Sequence, residues 1–294
     1  MRVAVVGANG QLGADTAQAF EESGDEVLAL AHSDIEIGDR DSVFGAMRGL
    51  RPRVVVNTAA MHHVDNCERE PEKAFAVNAL GARNLALAAR EIGALLIHVS
   101  TDYVFDGAKA SPYLETDCPR PLNVYGNSKL AGEHFVQSVA DRYFVVRTSG
   151  LYGKAPCRAK GGRNFVELML KLARERGEVR VVDDERVSPT STRELARQML
   201  SLSRSESYGL YHATAESSCS WYEFARAIFA LTHTRVNVKV ASPDEFPAKT
   251  PRPKYSVLEN RRLKLADLNT FGTWEDGLCD YLGVSRLCTT GRAQ

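Results

Sequence analysis

Arg2-Val-Ala-Val-Val6-Gly7-Ala-Asn-Gly10-Gln-Leu-Gly13 is the stretch that decides the fold. A short apolar run leads into three glycines, and the glycines lead into a helix-like pattern over residues 11–22. Strand, glycine-rich turn and helix is the context in which such a motif binds a dinucleotide. The first glycine permits the tight turn and the second lets backbone approach a pyrophosphate. The third lets the helix pack on the strand, and the helix N-terminus offers N–H groups to the anion. Gly7, Asn9, Gly10, Gln11, Leu12 and Gly13 are therefore candidate cofactor-binding residues. The spacing is Gly-x-x-Gly-x-x-Gly, not the more frequent Gly-x-Gly-x-x-Gly.

Working outward, apolar strand candidates recur at residues 26–30, 53–57, 95–99, 143–147 and 179–182, with helical spacing at 42–49, 72–92, 128–140 and 165–176. Strands alternating with helices imply right-handed crossovers and a parallel sheet. The fold class is α/β, a doubly wound Rossmann-type parallel sheet with a smaller C-terminal substrate domain. Residues 1–149 form the NAD(P)-binding part and 150–294 mainly the substrate-binding part, with 178–200 returning to the Rossmann sheet. Ligands belong outside the carboxyl ends of the strands, where the glycine turn, residues 58–60 and residues 100–101 all fall. After Arg147 the alternation loosens into loops at 150–162 and 242–253, framed by helices at 221–231 and 274–282 whose aromatic residues read as core. Residues from about 285 read as a mobile tail.

The 294 residues carry 37 basic and 37 acidic side chains, 44% hydrophobic and 25% charged residues, an ordinary globular composition. Balanced charge without a long like-charge run offers no broad attraction to nucleic acid or to an anionic membrane. No apolar stretch reaches the roughly 18 residues of a membrane span, and no signal peptide is evident, so the expected location is the cytoplasm. Six scattered cysteines contain no Cys-x-x-Cys pair. His62, His63, Asp65, Cys67 and Glu68 are the densest set of metal-ligand types. Adjacent histidines point apart in a strand or loop and no partner motif follows, so no metal site is assigned.

Tyr125 and Lys129 stand four residues apart in Val124-Tyr-Gly-Asn-Ser-Lys129-Leu-Ala-Gly-Glu133, downstream of Ser100-Thr-Asp-Tyr103. On a helix, that spacing puts a phenol and an ammonium on one face. The ammonium would favour the phenolate and pull the tyrosine down from its free value of about 10, as general acid–base work requires.

Taken in order, Gly7-x-x-Gly10-Gln-Leu-Gly13, Arg51-Pro-x-Val-Val-Val-Asn57-x-Ala-Ala60, Val64-Asp65, Val77-Asn78, Ser100-Thr-Asp-Tyr-Val-Phe-Asp-Gly107, Pro121-Leu-x-Val-Tyr125-Gly-x-x-Lys129, Arg147-Thr-Ser149, Asn164-Phe165 and Ser188-Pro-Thr190 resemble the dTDP-4-dehydrorhamnose reductase family of the extended short-chain dehydrogenases. The resemblance implies transfer of hydride from NADPH or NADH to the C4 ketone of a nucleotide-linked 4-keto-6-deoxyhexose, giving dTDP-L-rhamnose from its 4-dehydro precursor. It implies that Tyr125 protonates the alkoxide, that Lys129 holds the nicotinamide ribose, and that Thr101 bonds the substrate carbonyl. Ala59 and Ala60 would line the route to the nicotinamide. Tyr103, Val64, His62 and Asn164 would lie near the sugar or nucleotide. The second strand ends without the acid or base that selects NAD or NADP, which leaves Asp39 and Arg40 as the adenosine-side candidates.

Three positions depart from the family pattern. His62 stands for a threonine, Gly150 for a tryptophan, and Glu185-Arg-Val187 for Gln-x-Gly, so the sugar itself is open between dTDP-4-dehydro-L-rhamnose and another 4-keto sugar. Some relatives form homodimers, in cases through acidic residues and magnesium, which makes Asp15 the candidate residue and Mg2+ the candidate ion. The same family includes the non-catalytic, NAD(P)-binding beta subunit of methionine adenosyltransferase. The complete Thr101, Tyr125 and Lys129 set argues for catalysis. An epimerase or dehydratase would reuse its bound cofactor, and a dehydratase would show two acids after Thr101, where only Asp102 stands.

Overall fold

The computed structural model describes residues 1–157, 161–242, 245 and 249–285. The 150–162 and 242–253 loops lie partly outside those residues, and the tail read from about 285 lies outside them beyond that residue.

Five β-strands and the helices between them build the first half. They are β1 Arg2–Val6, α1 Gln11–Glu22, β2 Glu26–Leu30, α2 Arg40–Leu50, β3 Val54–Asn57, α3 Val64–Arg69, α4 Pro71–Phe75, α5 Gly81–Ile92, β4 Leu95–Thr101, α6 Val124–Val139 and β5 Tyr143–Thr148. The second half runs through α7 Phe165–Glu175, β6 Glu178–Val181, β7 Arg186–Val187, α8 Thr192–Ser203, β8 Gly209–His212, β9 Cys219–Ser220, α9 Trp221–Leu231, β10 Asn237–Val240, α10 Arg261–Leu265 and α11 Trp274–Leu282.

The main sheet has the order β2-β1-β3-β4-β5-β8, and every neighbouring pair is parallel. Strands covered on both faces read as continuous apolar runs, as Val3 to Val6 and Val54 to Val56 do. Alternate residues feed two cores: Ala4, Val6 and Val55 pack with α2 and α5, while Val3, Val5 and Val56 pack with Leu195 and Met199 of α8. The chain leaves β1 to one side for β2 and to the other for β3, so the topological switch point lies between β1 and β3, where a doubly wound sheet opens its ligand crevice.

The stretch expected to return to this sheet divides. Strand β6 pairs with β10 in a separate two-stranded sheet, and the sixth strand of the main sheet is β8. β6 is strongly alternating, with Val179 and Val181 buried and Arg180 exposed, and it feeds a third core built on Phe224, Ile228, Trp274 and Leu278. A one-faced strand suits a small edge sheet, whereas the main sheet needs apolar residues on both faces. Helix α8 does pack back on α1.

Candidate functional site

The glycine turn is shaped by contact across the switch point. Gly7 has φ +82° and its N–H donates to the Leu30 carbonyl at 2.8 Å; a Cβ there would lie 2.9 Å from the Ala59 nitrogen. A Cβ on Gly13 would lie 2.2 Å from the Gly7 oxygen, so the helix approaches the turn more closely than any side chain permits. Gly10 differs, since its Cβ would meet only the Gly7 oxygen at 3.3 Å. Room is left over the turn, at the N-terminus of α1, where no side chain caps the helix and the backbone N–H groups stay open to an anion. These features fit the pyrophosphate of a dinucleotide.

Not every residue assigned to the cofactor stands free for it. The Gln11 amide donates to the Gly153 and Ala155 carbonyls at 2.9 and 2.8 Å, tying the turn to the loop after β5. Asp39 caps α2, accepting from the N–H groups of Asp41 and Ser42. Exposed Arg40 lies over the Phe44 ring, 5.1 Å from its centroid. Asn9 is exposed, Leu12 is buried beneath the helix, and Ala59 and Ala60 are half-buried beside Gly7.

Helix α6 carries Tyr125 in its first turn, four residues earlier than residues 128–140 suggested. Two side chains account for the early start. The Asn123 carbonyl oxygen accepts from the Gly126 N–H at 2.8 Å, and the Glu68 carboxylate accepts from the Val124 N–H at 2.7 Å. Phenol and ammonium thus rise from one helix, as i and i+4 residues do.

The Thr101 hydroxyl stands near enough to the Tyr125 phenol to act on its ionisation. That hydroxyl also donates to Asp102 at 3.0 Å and accepts from the Tyr103 N–H at 3.2 Å. The Tyr103 ring meets Tyr125 edge-on, with centroids 5.7 Å apart. Asp102 is buried, and desolvation raises its carboxyl above the usual range against the pull of the Ser256, Ser149 and Thr101 hydroxyls.

The expected lowering of Tyr125 is corrected by the structure. Desolvation pushes its phenol above the usual value, while Thr101 opposes the shift and the Asp102 carboxylate adds to it. Lys129 is itself lowered to about 8 by burial, with Glu133 holding it up. A buried ammonium is penalised in the same way as a buried phenolate, so the site keeps a neutral phenol.

Lys129 is only 2% exposed, and its ammonium donates to the Val99 carbonyl at 2.6 Å. His98 lies beside it and Asn57 beyond, both 1% exposed. Asn57 belongs to a family motif but carried no role and His98 was not singled out, although a lone histidine inside Leu95-Leu-Ile-His98-Val-Ser-Thr101 and an asparagine ending an apolar strand are signals of a kind. Asn78 was also without a role. It sits in a π-helical turn, Ala76–Leu80, where its amide accepts from the Met61 N–H and donates to the Met61 carbonyl, each at 2.9 Å, and donates to Ser128 at 3.0 Å. Such turns concentrate at functional sites.

The substrate-side candidates separate. Val64 opens α3, one turn from Cys67, whose thiol is buried and raised to about 11 by that burial. His62 is exposed on the same loop. Asn164 is instead consumed by structure: its oxygen caps α7 through the Glu167 N–H at 3.0 Å, and its amide donates to the Gly153 carbonyl at 2.8 Å and the Tyr281 hydroxyl at 3.0 Å. Gly150, where the family pattern has tryptophan, has φ +56° and packs on Pro189, a backbone state that a large side chain adopts only with strain. The charges of Arg252 and Glu185 act on the Tyr103 phenol, and Glu185 accepts from the Trp221 indole at 3.1 Å.

Three of the metal-ligand types at α3 are turned to other partners, His63 capping the helix, Cys67 donating to the Met61 carbonyl and Glu68 capping α6. No group of three His, Cys, Asp or Glu residues positioned to hold a metal occurs among the described residues. Asp15 accepts from the Thr192 hydroxyl. No helix among the described residues is long and apolar enough to cross a membrane.

The family model of the RmlD substrate binding domain matches residues 1–286. The spore coat polysaccharide biosynthesis protein SpsK of Bacillus subtilis is 41% identical over 281 residues, covering 96% of this chain and 96% of its own length. A dTDP-4-dehydrorhamnose reductase of Sinorhizobium fredii is 38% identical over 292 residues, covering 94% of this chain and 95% of its own. Among solved structures, the dTDP-4-dehydrorhamnose reductase of Bacillus anthracis in complex with NADP superposes with a TM-score of 0.91 at 39% identity, covering 96% of this chain and 98% of that one. With its glycine turn, its Tyr125–Lys129 helix and these near full-length matches, the chain belongs to the dTDP-4-dehydrorhamnose reductase family of the extended short-chain dehydrogenases.

Proposed function

We propose that the chain reduces the C4 ketone of dTDP-4-dehydro-L-rhamnose to dTDP-L-rhamnose, using NADPH or NADH. The observation that carries this reading is Tyr125 on α6 beside Thr101 at the end of β4, with Lys129 one turn along the helix and the glycine cradle at the adjacent switch point. A bound reduced nicotinamide supplies the hydride. Gly7, Gly10 and Gly13 hold the pyrophosphate by backbone, Ala59 and Ala60 line the nicotinamide side, and Asp39 and Arg40 stand toward the adenosine.

The substrate carbonyl enters between the Thr101 hydroxyl and the Tyr125 phenol. Tyr125, held neutral by desolvation, has a proton to give as negative charge develops on the carbonyl oxygen. The Lys129 ammonium binds the nicotinamide ribose and neutralises the resulting phenolate. Tyr103 and Val64 frame the sugar, with His62 at the rim. Residues 1–149 then serve chiefly the dinucleotide and the later residues chiefly the sugar nucleotide.

The altered residues favour one second reading within the same chemistry. Gly150 in place of an aromatic wall, and Glu185 beside Arg252, suit a related dTDP-linked 4-keto sugar. The deciding experiment follows loss of reduced-nicotinamide absorbance with dTDP-4-dehydro-L-rhamnose and either cofactor. Turnover with that sugar supports the first reading; binding of dinucleotide with turnover only on another 4-keto sugar supports the second, and no turnover on either overturns both.

A further inference from the structure

One buried chain of polar groups joins the dinucleotide side of the site to its lysine. The Ala59 N–H donates to the Asn57 side-chain oxygen at 3.1 Å. Asn57 Nδ2 then faces His98 Nδ1 at 3.0 Å, and His98 Nε2 faces Lys129 Nζ at 3.5 Å. All three side chains are at least 98% buried, so hydrogen positions follow from their partners.

The direction of the chain is fixed at its backbone end. An amide N–H is only a donor, so Ala59 requires the carbonyl oxygen of Asn57 and turns the NH2 group toward His98. That NH2 group requires an acceptor, so His98 Nδ1 carries a lone pair. An imidazolium would set N–H against N–H there, and burial with the neighbouring Lys129 charge independently keeps His98 neutral. The single ring proton is left on Nε2, pointing at the ammonium. Two donors do not bond, and 3.5 Å is the separation of a contact beside the 2.6 Å bond from Lys129 to Val99.

We propose that His98 is a positioning residue for Lys129: the Ala59 amide, acting through Asn57, holds the imidazole as its Nε2–H tautomer, which takes no hydrogen from the ammonium. The ammonium therefore anchors on Val99 alone and keeps its remaining hydrogens for the bound dinucleotide. The role of the lysine rests on the proposed function above. The tautomer does not.

The test uses the whole, nitrogen-15-labelled protein, with the His98 imidazole signals assigned through the β4 backbone. The expected result at neutral pH is a bare Nδ1 and a protonated Nε2; a proton on Nδ1, or on both nitrogens, overturns the proposal without recourse to any variant. Asn57→Asp supplies the second arm, because a carboxylate accepts from both Ala59 and His98, moving the proton to Nδ1 and making Nε2 an acceptor for Lys129. Dinucleotide Kd, read by titration without any sugar, should then weaken on the order of tenfold, the equivalent of one hydrogen bond. A tautomer that moves with no change in Kd sinks the link to Lys129. An absence of sugar reduction by the wild type touches the functional reading alone and leaves both arms standing.

Discussion

Lys129 donates to the carbonyl oxygen of Val99 at 2.6 Å, so the cation of helix α6 is pinned to the strand that ends in Thr101. The bond joins the helix that carries Tyr125 to the strand that carries Thr101, which also pack directly on each other. It also holds a charge where water does not reach, and that has a thermodynamic consequence.

Lys129 is lowered from 10.5 to about 8 by burial. Between those values the unfolded chain binds a proton that the folded chain has released, so stability rises with pH through that window; below about pH 8 the folded state carries the full penalty. The shift corresponds to about 3 kcal/mol. Chemical denaturation of wild type and Lys129→Met from pH 7 to 11 should show the wild type gaining on the variant above pH 8, and parallel curves would refute the depressed lysine.

Tyr125→Phe removes the proposed proton donor but neither the glycine cradle nor Lys129. Turnover should fall by about 10²- to 10⁴-fold with dinucleotide affinity unchanged. Equal loss of both, seen by steady-state kinetics beside a binding titration, would show that the phenol serves the fold.

Gly10 and Gly13 should part company on substitution. Gly13→Ala drives a Cβ to 2.2 Å from a backbone oxygen and should cost about 1–3 kcal/mol or more of stability. Gly10→Ala meets only a 3.3 Å contact, so the fold should hold within about 0.5 kcal/mol while the methyl group obstructs the anion site. Urea midpoints with dinucleotide titration distinguish the two.

Asn164→Ala should act on stability rather than on sugar binding. It removes the α7 cap and two further hydrogen bonds, at a cost of about 1–2 kcal/mol. A large rise in sugar KM at unchanged stability would return Asn164 to the substrate.

Arg147 and Glu133 form an ion pair at 2.6 Å, 3% and 0% exposed, with Ser100 donating to Glu133 at 2.5 Å. Arg147→Met strands a buried carboxylate and should lower the free energy of unfolding by about 3–5 kcal/mol. Replacing both partners, Arg147→Met with Glu133→Leu, should recover much of it; a double variant as unstable as the single would assign the loss to packing of Arg147 on Phe105.

How legible each residue was depended on the range of the interaction behind it. The turn from Gly7 to Gly13 and the Tyr125–Lys129 pair follow from spacing along one helix or turn, and residues 11–22, 26–30, 221–231 and 274–282 emerge with the bounds read from the chain. β8 was missed because Gly-Leu-Tyr-His is too short and too polar to announce a sheet strand, and only its parallel pairing with β5 makes it one. β6 was legible as a strand but not as a partner of β10. Asn164 carries a motif that reads equally as ligand or cap; its oxygen caps the local Glu167 N–H, and only the fold brings the Gly153 carbonyl and the Tyr281 hydroxyl to its amide.

By itself, then, the sequence determined what local geometry determines: a dinucleotide turn, alternating strands and helices, and a phenol and an amine on one helical face. Those depend on periods of two and 3.6 residues and on the conformational freedom of glycine. The tertiary structure alone decided the electrostatics. Tyr125 is raised rather than lowered and Lys129 lowered rather than kept, because desolvation depends on what packs around a group, and α3, β4 and the π turn come to α6 from far along the chain.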